Sequence, residues 1–127
     1  MKTKVILMFM IVFMSNAAIP SLYKVTSNEE AIIYADPSSI QKSGDLVKMW
    51  EVTDFKKKST NDKYLSVKSL HEFDCKQNKS RVVNYSMYSQ NMASGKVVQT
   101  SNVAHAWLPV RSGGITVALL ATACKKH

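Results

Sequence analysis

Alternation of apolar and polar residues runs through most of the chain and predicts an antiparallel sheet of about six strands. Short runs rich in β-branched and aromatic residues are separated by turn residues, as in strands joined by hairpins. The stretch "DPSSI", between the second and third runs, contains Pro37 and predicts a turn followed by a single helical turn. The predicted strands are 22–25, 31–35, 46–55, 64–75, 81–89 and 96–100.

The fourth run indicates which way the first of two cysteines faces. Its odd-numbered positions include Val67 and Phe73, whereas its even-numbered positions include Lys68 and Glu72. Because successive side chains of a strand point to opposite faces, the odd-numbered set is the drier one. Cys75 is therefore predicted to face the core.

The helical period appears only near the C-terminus, in residues 112–126. Ser112 is suited to capping a helix, and two lysines follow the apolar residues, where a helix end favours positive charge. One face of this helix would carry Val117, Leu120, Ala121 and Cys124. A helix lying across the sheet with this face inward would bring Cys124 to Cys75, and we predict a disulfide between them.

The third run, 46–55, is apolar on both of its faces. Val47 and Met49 share one face, and Trp50 and Val52 share the other. A sheet with one face under a helix normally leaves its other face mostly polar. We therefore predict that Trp50 and Val52 line an apolar groove or a homodimer face, with loops folded over them as the alternative.

The N-terminal residues predict export. Lys2 and Lys4 precede an apolar run, 5–14, that is shorter than the roughly 20 residues of a membrane span, and small residues follow it. We expect a signal peptide over 1–18, a single domain over 19–127 and no membrane span. No cysteine follows the run for lipid attachment, which favours a periplasmic or secreted protein. Such compartments are oxidising, so the two cysteines are expected to pair.

Charge adds a second candidate surface. The full chain has a net charge of +8, and the leader holds two of the lysines and no acid, which leaves +6. Basic residues that meet on one side could bind anionic glycans or acidic protein segments, and solvated loop lysines are the alternative. Nucleic acid is not expected, because aromatic residues are not interleaved with the lysines. The predicted basic patch consists of Lys56, Lys57, Lys58, Lys76, Lys79 and Arg81.

Candidate chemistry is sparse. His71, His105 and His127 are scattered without the short spacing of metal ligands, so neither a metal nor a cofactor is expected. The chain has no nucleophile elbow, no His-Glu-x-x-His motif and no glycine-rich phosphate loop. Glu72 and Asp74 are expected to pair with lysines across the sheet, such as Lys68 or Lys48. We predict no catalytic residues and a protein that acts by binding.

Several blocks of the sequence, taken together and in order, resemble the bacterial surface-adhesin protein E family. They are "YADPSSI" (34–40), "WEVTDFKK" (50–57), "YLSVKSLHEFDCK" (64–76), "YSQNMASGKVV" (88–98), "WLPV" (107–110) and "LLATAC" (119–124). The resemblance implies a small exported protein of Gram-negative bacteria with an α+β fold, in which an antiparallel sheet of about six strands is tied to a C-terminal helix by a disulfide. It carries the paired cysteines onto Cys75 and Cys124.

The same resemblance implies a function. It suggests an adhesin that contacts host cells or extracellular-matrix proteins such as vitronectin or laminin, and that can form a homodimer. Two features depart from the family, namely the missing lipidation cysteine and the segment "VRSGGI" (110–115), where relatives tend to have a proline-containing turn. No binding residue is carried over. The alternative hypothesis is a periplasmic cell-envelope accessory protein with a structural role.

Overall fold

Short turns and alternating side chains give an antiparallel meander. The computed structural model describes residues 22–57 and 63–125. The described elements are β1 Tyr23–Ser27, β2 Ala31–Ser43, β3 Leu46–Phe55, β4 Ser66–Asp74, β5 Lys79–Gln90, β6 Ser94–Ser101, β7 Leu108–Pro109 and α1 Ile115–Ala123.

The strands β1 to β6 lie side by side in chain order, and the two-residue β7 pairs with β5 beyond the end of β6. The predicted α+β fold with a sheet of about six strands is confirmed. The predicted signal peptide, 1–18, lies outside the described residues.

The "DPSSI" stretch does not leave the sheet, so the predicted turn and helical turn are wrong. β2 continues through it, and its ladder to β3 is irregular only between Asp36 and Gln41. Pro37 lacks a backbone N–H and lies in this irregular part, where the ladder requires none. The Ser39 hydroxyl accepts the backbone N–H of Trp50 at 2.9 Å and so replaces a ladder acceptor.

The hydrophobic core lies between α1 and one face of the sheet. Alternate residues of β2 and of β3 point to this face, as a period of two requires. Phe73, at an odd-numbered position of β4, is fully buried there, in agreement with the predicted parity. The core residues are Ala31, Ile33, Ala35, Val47, Met49, Phe73, Leu119 and Ala123.

The helix is shorter than the sequence predicts. It covers Ile115–Ala123 instead of 112–126, and its N-cap is Gly114, with no side-chain hydrogen bond, instead of Ser112. Gly113 has a φ of +86°, in the left-handed region, and Gly114 is extended. The chain therefore cannot turn helical before residue 115.

The buried face of α1 is rotated by about one residue from the predicted face. Leu119 and Ala123 are buried, whereas Val117 and Ala121 are exposed. Cys124 is the C-cap residue, and its φ of −96° and ψ of 15° lie outside the helical geometry. Its sulfur can therefore leave the helix toward the sheet without lying at the centre of the buried face.

The predicted disulfide between Cys75 and Cys124 is confirmed. The two Cα atoms are 5.6 Å apart, and the bond joins positions separated by 49 residues. Cys75 directly follows β4, and its backbone N–H donates to the Asp45 carbonyl at 2.9 Å, in the turn before β3. The bond thus ties the end of α1 to the edge of the core.

Reducing this disulfide is expected to destabilise the fold without changing the order of the strands. The bond closes a loop of 49 residues, for which loss of unfolded-state entropy gives about 4 kcal/mol. Urea unfolding with and without dithiothreitol measures the difference. The double variant Cys75→Ser, Cys124→Ser serves as the control, since its unfolding midpoint should not respond to the reductant. Equal midpoints for the oxidised protein and this variant would contradict the prediction.

Candidate functional site

We call the sheet face opposite α1 the open face. Strand register places the side chains of this face in rows that cross the sheet. The row through Trp50 also contains Asp36 and Leu70, and the next row contains Tyr34, Val52 and Lys68. Trp50 is half-buried and Val52 is only 3% exposed. Both residues predicted to form an apolar groove therefore lie on the open face.

The Trp50 ring is covered on one side by a cation. Trp50 pairs directly with Leu70, so Lys68 is its diagonal neighbour on β4. The Lys68 Nζ atom lies 4.8 Å from the centre of the ring. Such a cation–π contact contributes about 0.5–1 kcal/mol at an exposed site. It restrains both side chains and places a positive charge beside the ring.

The turn between β5 and β6, residues 91–93, folds back over the open face, and we call it the hairpin tip. Asp54 Oδ1 accepts from Asn91 Nδ2 at 2.9 Å and from the Met92 N–H at 2.8 Å. Ser66 Oγ accepts the Ala93 N–H at 2.9 Å. Asp54 and Ser66 are direct partners in the β3–β4 ladder. The tip is therefore fixed to two neighbouring strands at one point.

The hairpin tip has an unusual backbone. Met92 and Ala93 have φ values of +56° and +54°. The left-handed region costs about 1–2 kcal/mol for each residue that has a Cβ. Two successive non-glycine residues in this region persist only where the surroundings hold them, and such positions cluster at functional sites. The hydrogen bonds to Asp54 and Ser66 supply that restraint.

The tip and the sheet together enclose a cavity of about 360 Å³, which we call the open-face groove. Trp50 and Val52 form its floor, the hairpin tip forms one wall, and the start of β1 approaches from the other side. Trp50 and Val52 are the two residues that the sequence predicts for a groove or dimer face, and no sequence pattern indicates the wall, because the wall depends on hydrogen bonds between distant residues. The lining residues are Leu22, Asp36, Trp50, Glu51, Val52, Lys68, Met92 and Ala93.

His71 lies on the other face of the sheet and contacts a carboxylate. Its Nδ1 atom is 2.9 Å from Glu51 Oε1, and the two side chains are 13% and 6% exposed. The imidazole also packs on Phe73, with ring centres 5.4 Å apart. Within residues 22–57 and 63–125, no group of three or more His, Cys, Asp and Glu residues could hold a metal ion. The His71–Glu51 pair therefore belongs to the packing of the helix side.

The described members of the predicted basic patch lie at both ends of the sheet. Lys56 and Lys57 follow β3, whereas Lys76 and Lys79 flank the turn between β4 and β5. β3 has 10 residues, and a strand of that length spans about 30 Å. These lysines therefore do not form one continuous surface. Lys58 lies outside the described residues.

Arg81, the remaining member of that patch, is engaged within the protein. Its Nε and Nη2 atoms lie 2.8 Å and 2.7 Å from Glu72 Oε1, and its guanidinium lies 4.6 Å from the centre of the Trp107 ring. Glu72 is only 5% exposed and forms its ion pair with Arg81 instead of the predicted Lys68 or Lys48, although Lys48 lies directly opposite Glu72 in the β3–β4 ladder. Arg81 links the segment after β6 to the sheet.

Comparison with known proteins agrees with this architecture. A family model described as surface-adhesin protein E matches residues 22–125. The chain belongs to the surface-adhesin protein E family. No functionally curated protein matches the chain.

Solved structures of Haemophilus influenzae protein E share the fold. Crystal form II of that protein is 15% identical, with a TM-score of 0.61, over 79% of this chain and 91% of that chain. A second structure of protein E is also 15% identical, with a TM-score of 0.55, over 81% of this chain and 92% of that chain.

Family membership implies an adhesin-like surface protein that acts by binding and not by catalysis. The family and the disulfide both fit an exported protein. In the part of the chain that the structure describes, no helix is long and apolar enough to cross a membrane.

The substitution Asp54→Ala is expected to release the hairpin tip. It removes the acceptor of two hydrogen bonds, and the free energy of unfolding should fall by about 1–2 kcal/mol. Hydrogen exchange at the Met92 amide should become faster, because that N–H loses its partner. The control is Asp45→Ala, since no hydrogen bond to the Asp45 side chain is found among the described residues. Equal exchange rates at Met92 in the two variants would show that Asp54 does not hold the tip.

The substitution Arg81→Ala is expected to free the Trp107 segment. It leaves the buried Glu72 carboxylate without its cation, which should cost about 1–3 kcal/mol. Trp107 emission, recorded in a Trp50→Phe background, should shift to the red as the indole becomes hydrated. Lys79→Ala is the matched control, because Lys79 is an exposed basic residue near the start of the same strand, β5. An unchanged emission spectrum in Arg81→Ala would contradict the role given to Arg81.

Proposed function

We propose that this protein is an exported adhesin-like protein whose open-face groove binds extracellular-matrix proteins such as vitronectin or laminin. Family membership supports the class of function, and the groove supports the location of the binding site on the protein. The observation that carries the location is the half-buried Trp50, which lies in a groove whose wall is already fixed by hydrogen bonds.

The chemistry of the groove suits a protein ligand. Binding energy at protein interfaces concentrates in a few residues, and tryptophan is prominent among them. Trp50 presents a large apolar ring on a strand in the middle of the sheet, so little conformational freedom is lost when a partner binds. Met92, which is 43% exposed, extends the apolar surface beside Trp50, and the buried Val52 lies beneath it.

Anionic glycans are the weaker ligand class. A polyanion is held best by several cations on one continuous surface. The described lysines of the predicted basic patch lie at opposite ends of the sheet, and Arg81 is paired with Glu72. The groove presents a single lysine, Lys68, and its walls are apolar. These features favour a protein partner over a heparin-like chain.

Binding to immobilised vitronectin, laminin and heparin tests the proposal. We expect the exported protein to bind at least one matrix protein and to bind heparin more weakly. Trp50→Ala should reduce matrix binding by at least about tenfold, as expected for a central tryptophan. Tyr23→Ala is the matched control, because Tyr23 is an aromatic residue that is 62% exposed and lies outside the groove. Binding that Trp50→Ala leaves unchanged would contradict the location.

Cell fractionation separates adhesion from the accessory role in the cell envelope. An adhesin must reach the cell surface or the medium, where whole-cell labelling detects it. Protein confined to the periplasm would reject adhesion and favour the structural role. The proposed compartment is therefore the surface or the medium.

The proposed homodimer would use the same apolar floor of Trp50 and Val52. Sedimentation of the wild-type protein and of Trp50→Ala over a wide concentration range measures it. A single monomer mass at all concentrations would exclude the dimer and leave the matrix-binding proposal intact.

A further inference from the structure

The open-face groove is small, and it contains one lysine that is not paired with a carboxylate among the described residues. Its volume of about 360 Å³ is at the small end of the range for ligand sites, so it admits a large side chain and its neighbour and excludes a folded element. The hydrogen bonds of the hairpin tip set this width before any partner arrives.

One cation, Lys68, and two carboxylates, Asp36 and Glu51, line the groove. Within the described residues, the Lys68 ammonium forms no ion pair with a carboxylate, and its close contact is the Trp50 ring. The two carboxylates have partners of their own, and Asp36 keeps its negative charge at the edge of the groove. Asp36 Oδ1 accepts from the N–H and the hydroxyl of Ser38, and the Glu51 carboxylate contacts an imidazole on the opposite face of the sheet.

The remaining surface of the groove is apolar. Val52 forms the floor beside Trp50, and Met92 and Leu22 border it from opposite sides. Met92 is 43% exposed, so part of its side chain is available to a partner. An apolar or aromatic side chain placed here would be close to the Lys68 ammonium, which could accept a carboxylate from the adjacent residue.

We propose that the open-face groove binds a protein segment in which a large apolar side chain is directly followed by an acidic residue. The apolar side chain packs on Trp50 and Met92, and the carboxylate pairs with Lys68. This inference rests on the proposed function, because it assumes that the ligand is a protein, and it defines the class of segment that the groove selects.

Titration with short peptides, followed by amide NMR of the full exported chain, tests the inference. The probes are three capped tetrapeptides, Gly-Phe-Asp-Gly, Gly-Phe-Asn-Gly and Gly-Ala-Asp-Gly. We expect the first to shift the signals of Trp50, Lys68 and Met92. The second should bind about twofold to fivefold more weakly, the range of a single exposed charge pair. The third should cause no saturable shift, because the apolar side chain is missing.

Two lysine variants assign the charge selectivity. Lys68→Gln should remove the difference between the Asp and Asn peptides, whereas Lys48→Gln should preserve it. Lys48 is a matched control, since it lies on the open face and does not line the groove. The same spectra show whether each variant is folded. High salt should likewise reduce the difference in the wild type, because it screens exposed charges.

Several outcomes would overturn the inference. Equal affinity for the Asp and Asn peptides would show that Lys68 does not select an acidic residue. Signal shifts confined to residues outside the groove would show that the peptide binds elsewhere. Nuclear Overhauser contacts from Ile19 or Pro20 to Trp50 would show that the chain's own N-terminal segment fills the groove. Groove signals that shift with protein concentration alone would show that a second copy does so.

The peptide experiment is independent of matrix binding. Peptide selectivity without binding to vitronectin or laminin would retain the groove specificity and reject those two partners. Matrix binding that depends on Trp50, without any peptide selectivity, would retain the proposed function and reject this inference.

Discussion

The Cys75–Cys124 bond is the constraint on which the helix side of the structure depends. α1 has nine residues, no side-chain cap, no acid in its first turn and no base in its last turn. A helix this short is marginal in water, so its stability must come from tertiary contacts. Leu119 and Ala123 supply those contacts only while the helix stays over the sheet, and the covalent bond keeps it there.

The helix packs on one face of the sheet only. Polar contacts organise the other face. Among the residues that the structure describes, no helix covers the open face, and the hairpin tip folds over part of it. The two faces therefore have different physical origins. The helix side is a packed apolar core, whereas the open face is a shallow surface held by hydrogen bonds to Asp54 and Ser66.

Local sequence pattern was sufficient for the sheet and the parity of β4, because strand alternation acts over a few residues. It also predicted the disulfide, although the predicted helix was too long and its predicted buried face was displaced by about one residue. The local pattern failed where contacts between residues distant in the sequence determine the structure. Pro37 indicated a turn, yet the strand continues, because the Ser39 hydroxyl accepts the backbone N–H of Trp50 in place of a ladder carbonyl. Arg81 resembled a surface cation because its contact with Trp107 spans 26 residues of sequence. The wall of the groove was not predicted, because Met92 and Ala93 lack the glycine that normally marks a left-handed turn.

The position of the disulfide also determines how the protein responds to mechanical force. If tension is applied to points before β1 and after α1, it passes from the end of β4 through the sulfur atoms to Cys124, which follows α1. Strands β5 to β7, the hairpin tip and α1 lie inside the closed loop and carry no direct tension. The loop of 49 residues cannot be drawn out, which removes about 170 Å from the fully stretched contour. Under such tension the protein would therefore yield first among β1 to β4, the strands that lie outside the loop.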